Sequence, residues 1–129
     1  MAEYAISKTL DCTYDEAVEK TRAELAKEGF GILTEIDVKA TLKKKLDEDF
    51  RNYIILGACN PPFALRAFNL ETEIGLFLPC NVIVYENDDK SVVVSAVDPL
   101  AMMSMIDTPG LDELATEVRV VLERVIAAL

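Results

Sequence analysis

The chain has 129 residues, 51% of them hydrophobic, with 23 acidic against 13 basic side chains and a net charge of −10. One domain of this length buries enough surface to need neither disulfide nor metal, and the apolar content argues against disorder. The acidic balance repels phosphate backbones and anionic lipid, which excludes nucleic acid and membrane surfaces as expected partners.

Histidine is absent, which removes the usual general base, the commonest zinc ligand and any Ser-His-Asp or Cys-His unit. Cys12, Cys59 and Cys80 form no CxxC, and an odd count argues against a disulfide scaffold. P-loop, GxGxxG, HExxH and EF-hand patterns do not occur, so no cofactor is evident. Apolar runs fall short of the roughly 20 residues that span a bilayer. Met1-Ala2-Glu3-Tyr4 lacks the basic and apolar regions of a secretory signal, so the cytoplasm is the expected location.

Tyr4, Ile6 and Leu10 alternate with smaller or polar neighbours, predicting a first strand with one buried face. Thr13 to Glu16 reads as a capping box, opening a helix with Tyr14, Ala17, Val18, Thr21 and Leu25 on one side; Gly29 ends it. A second strand is expected over Phe30 to Ile36, then a short helix from Asp37 to Leu46 with Asp37 as cap. Lys43 to Lys45 lie at that helix's negative end, followed by Asp47 to Asp49, as a charge-paired solvated terminus or, less simply, a phosphate patch.

Tyr53 to Ala58 is almost unbroken apolar sequence, predicting a strand covered on both faces. Asn60-Pro61 then predicts a helix start, with Phe63, Ala64, Ala67 and Phe68 as its apolar stripe. Asn81 to Glu86 and Ser91 to Val97 read as a hairpin around Asn87 to Lys90. Asp98-Pro99 leads into a short helical turn over Leu100 to Met105. Thr108-Pro109 opens the last helix, with Leu111, Leu114, Val118, Val121, Leu122, Val125 and Leu129 at helical spacing. The expected fold is a single two-layer α+β domain, residues 1–129, with a mixed or antiparallel sheet and helices packed on one face.

Four blocks carry a resemblance: EIDVKATL from Glu35, ILGACNPPFA from Ile55, LPCNVIVYE from Leu78 and SAVDPLAMM from Ser95. In order and spacing they resemble domain-of-unknown-function family 302 over nearly the whole chain. The resemblance implies a compact α+β fold and a homodimer. It implies no reaction and transfers no catalytic or ligand residue.

Cys59-Asn60-Pro61-Pro62 places a thiol before a helix N-terminus, where amides and the helix dipole favour thiolate. Cys80-Asn81 repeats the pair, and antiparallel strands would bring both steps together. Two thiolates there would bind a soft metal, carry a persulfide or form a reversible disulfide; otherwise both cysteines are buried fillers. Glu35 and Asp37 share a strand face as an acid–base pair, or serve as one solvated residue and one cap. Asp98 faces a pocket or starts a turn. Met102, Met103 and Met105 line an apolar pocket or interface, or fill core gaps.

Three functions are compatible with these residues. One is a dimeric module binding a small ligand, soft metal or sulfur species near the two Cys-Asn steps. Another is a thiol enzyme using Cys59 with Asp37 or Asp98 in support. The third is an interaction protein whose motifs serve only the fold.

Overall fold

The computed structural model describes residues 3–129, so the signal-sequence reading of Met1 and Ala2 falls outside the described residues. The strands are β1 (Ala5–Leu10), β2 (Gly31–Asp37), β3 (Tyr53–Cys59), β4 (Cys80–Glu86) and β5 (Val92–Val97). The helices are α1 (Tyr14–Lys27), α2 (Val38–Leu46), α3 (Pro61–Leu70), α4 (Pro99–Met103) and α5 (Leu111–Ala127), with a 3₁₀ segment at Thr72–Phe77. All four strand pairings are antiparallel, in the order β1-β5-β4-β3-β2. This is the expected α+β architecture.

Local chemistry accounts for the helix ends. The Glu16 amide donates to the Thr13 hydroxyl and the Thr13 amide donates to the Glu16 carboxylate, completing the capping box of α1. Gly29 follows α1 with φ of 83°, in the left-handed region where a side chain is strained. Asp37 caps α2 by accepting from the Ala40 amide at 2.9 Å. Lys43 pairs with Asp47 and Asp49, which favours the solvated reading of the lysine cluster. The last helix departs from expectation: it starts at Leu111, because Gly110 adopts φ of 87° and interrupts the chain after Pro109.

Period-two alternation divides the sheet into two faces. Leu10, Leu56, Ala58, Cys80, Val82, Val84, Val92, Val94 and Ala96 are buried beneath α1 and α5, which present Ala17, Val18, Thr21 and Leu25, and Leu114, Val118, Leu122 and Val125. The charged strand residues Lys8, Glu35, Asp37 and Glu86 fall in the same alternation set. Lys8 Nζ donates to the main-chain oxygens of Ala127 at 3.1 Å and Leu129 at 2.5 Å, and Glu35 pairs with Arg22 of α1.

The opposite face carries Ala5, Ser7, Thr9, Thr34, Ile36, Tyr53, Ile55, Gly57, Asn81, Ile83, Tyr85, Val93, Ser95 and Val97, none of them charged. Across it Ser7 and Ser95 share a 2.6 Å hydroxyl hydrogen bond, and the Tyr53 and Tyr85 rings stack at 5.5 Å. β3 is covered on both faces only at Leu56–Ala58. Its first half, Tyr53 to Ile55, is half-buried, contrary to the reading of the whole run as a doubly covered strand.

Gly57 is the tightest point of this sheet. A Cβ there would collide with Thr34 Oγ1 and stand 2.8 Å from Pro79 Cγ. Gly57→Ala is expected to cost about 1–3 kcal/mol through overpacking, read from urea denaturation midpoints. An unchanged midpoint would contradict the close approach of these segments.

Candidate functional site

Ala58 of β3 pairs with Cys80 of β4, so Cys59 and Cys80 lie at the same end of neighbouring strands. Both line one cavity of about 300 Å³ between that end of the sheet, α3 and α5. Phe30, Phe63, Ala67, Leu114 and Val118 form much of its wall, and Asn60 and Met103 also reach it. Its most exposed side chains are Leu33 and Phe68, at 67% and 46% exposure. They mark its mouth.

Ion pairs and hydrogen bonds hold the helices around this space. Arg66 of α3 meets Glu117 of α5 through two contacts, at 2.5 and 3.2 Å. Asn60 occupies the N-cap position of α3, yet its side chain makes no capping bond. It donates instead from Nδ2 to the Glu28 carbonyl at 3.2 Å, just past the end of α1. The Glu28 carboxylate in turn accepts from Arg124 of α5 at 2.8 Å. Asn60 therefore ties the β3–α3 turn to α1.

The expected pair of thiolates does not survive this geometry. Pro61 and Pro62 have no amide hydrogen, so α3 lacks two of the donors that would stabilise an anion. Cys80 is buried, and that burial, with a smaller contribution from negative charge on Cys59, pushes its thiol up to about 11. Cys80 is a neutral thiol at pH 7. Among the described residues, no group of three or more Cys, Asp or Glu side chains is arranged to hold a metal ion.

Other candidates separate from the two cysteines. Alternation turns Asn81 to the opposite sheet face from Cys80, where it lines a second cavity of about 400 Å³ with Met102, Ile83, Ser95 and Val97. Leu78 and Pro79 wall both cavities. Asp37 and Asp98 line neither of them. Asp37 is the cap of α2; Asp98 accepts from the Leu100 amide at 3.0 Å and stands 3.5 Å from Arg119. Neither aspartate supports Cys59, and Glu35 is committed to Arg22 rather than to an acid–base pair with Asp37. Met105 is largely exposed outside the first cavity.

Sequence reasoning missed Leu33, Phe30 and the contribution of α5. The available signal was the small residues on apolar helix faces: Ala67 and Ala115 leave space where leucines stand along the same stripes.

Comparison with known proteins gives the family and no activity. A family model described as domain of unknown function DUF302 matches residues 6–129. Among solved structures, the chain is similar to an uncharacterized conserved DUF302 protein from Bacillus stearothermophilus, with 28% identity, a TM-score of 0.91 and 98% of each chain covered. No curated protein matches.

The raised Cys80 pKa has a definite sign. Between about pH 9 and 11 the folded chain keeps a proton that the unfolded chain has released, so stability falls as pH rises through that window. Tyr14, raised by burial to about 12, extends the loss above pH 10. Urea midpoints from pH 8 to 11 should decline less steeply in Cys80→Ala than in the native chain. At pH 8 native Cys80 should alkylate about a hundredfold more slowly than an unburied thiol. Equal rates would show that the thiol is not desolvated.

Proposed function

We propose that this chain, which belongs to the DUF302 family, is a single-domain cytoplasmic binding module that holds a small, uncharged, largely apolar molecule in the cavity lined by Cys59, Asn60, Cys80 and Met103. One observation carries the reading. In a chain with 28% charged residues, this cavity has no charged side chain in its lining among the described residues. Its volume of about 300 Å³ lies at the lower bound of small-molecule sites, about 300–1,000 Å³. An ion entering it would lose hydration with no opposite charge to replace it, whereas apolar surface gains about 25 cal/mol for each Å² removed from water.

The neutral Cys80 thiol weakens the soft-metal and persulfide versions of this reading, and the placement of Asp37 and Asp98 weakens the thiol-enzyme alternative. The two sulfurs act here as polarisable wall atoms. Nucleic acid and anionic membrane stay outside the proposal on charge; among the described residues no helix is long and apolar enough to cross a membrane.

The binding module is dimeric in this proposal, and the second copy sits on the uncharged sheet face. Two chains of net charge −10 repel, and this face lets them meet without opposing carboxylates. Tyr53, Ile55, Ile83 and Tyr85 supply half-buried apolar area at its centre. Light scattering should report a dimer that Ile83→Glu converts to monomer with little change in helical circular dichroism. A monomeric native chain would remove the dimer from the proposal.

Ligand binding is tested with N-phenyl-1-naphthylamine, a neutral fluorescent probe, against its anionic sulfonate analogue. The neutral probe should bind and the anion should not. Ala64→Leu and Ala115→Leu, which fill the cavity, should weaken the neutral probe about tenfold or more. Equal binding of both probes, or no effect of filling, would leave the surface-interaction reading in its place.

A further inference from the structure

We propose that Leu33 sets the size of molecule that enters the first cavity; this rests on the ligand-binding reading given above. The argument begins in the β2–β3 ladder. Ile32 pairs with Ala58, but Thr34 pairs with Gly57, its immediate neighbour, so the register shifts and Leu33 has no partner on β3. A bulge of this kind bends its strand and redirects a side chain.

Gly57 holds the bulge in place. With no Cβ on Gly57, Thr34 Oγ1 settles over it from β2, and Pro79 packs over it from the segment before β4. Thr34 is thereby fixed on the uncharged face while Ile32 packs against the core, leaving Leu33 between them as the extra residue. β2 is an edge strand, so no further strand constrains Leu33 from the other side. The same bulge places Glu35 opposite Leu56 and allows it to reach Arg22 of α1, which anchors the strand beyond the bulge.

Leu33 consequently stands 67% exposed among the residues lining the cavity, together with Phe68 of α3 at 46%. Most other lining residues are buried or half-buried. Phe68 is backed by Gly75, with ring atom Cε1 3.5 Å from the position a Cβ would take there. Leu33 is the more exposed of the two and has no partner residue on β3. Of the two apolar side chains at the mouth, Leu33 is the one whose volume can change with the smaller loss of buried surface.

The test uses the full chain and two neutral probes of different bulk, N-phenyl-1-naphthylamine and Nile red. Leu33→Ala should raise binding of the bulkier probe relative to the smaller by about tenfold, the scale on which apolar pockets discriminate by size. Leu33→Trp should shift the ratio the opposite way, and Leu33→Met, close to leucine in volume, should keep it. The urea midpoint of each variant should stay near the native value, because the side chain is mostly exposed. If the native chain binds a probe and the ratio is unchanged across the three variants, Leu33 does not select by size while the cavity reading stands. If the native chain binds neither probe, both fail together.

Discussion

The contact over Gly57 is the constraint on which the candidate site depends. Thr34 from β2 and Pro79 from the approach to β4 meet above the same backbone, in space that any larger residue would occupy. Their approach fixes the bulge in β2, and Pro79 forms part of the partition between the two cavities. The antiparallel β3–β4 register then brings Cys59 and Cys80 to the same end of neighbouring strands, where α3 and α5 close over the sheet.

Two kinds of surface result from the same alternation. Beneath α1 and α5 the strands present valines, alanines and leucines, while Glu35 reaches Arg22 of α1 and Lys8 reaches the chain end. On the other side, serine, threonine, asparagine, tyrosine and aliphatic residues share a face free of charge. A sheet face with no charge is unusual in a strongly acidic chain, since exposed charge keeps such a chain soluble and apart from its copies.

The thiols illustrate how context reverses a local rule. A thiol walled by apolar side chains loses the water that would stabilise its anion. Burial wins at Cys80, whose charged form has no donor to offset its desolvation. Asn60 likewise follows distant geometry over local preference, bonding the end of α1 in place of its own helix. Its amide links segments 32 residues apart in the chain.

Much of the architecture was legible in local pattern. The capping box at Thr13, the glycine stop at Gly29, the Asp37 cap and the spacing of Leu111 to Val125 depend on neighbours within a few residues, so sequence alone determined them. The pairing of the Cys59 and Cys80 segments was also anticipated, because a short helix between antiparallel strands returns the chain to the same end. Tertiary structure decided the rest. Which side of the sheet Asn81 faces, where Met102 and Met103 part, how the β2 bulge frees Leu33, and whether a thiol is solvated all follow from register and from contacts between distant segments. A register shift of one residue moves a side chain to the opposite face, and no local spacing encodes it.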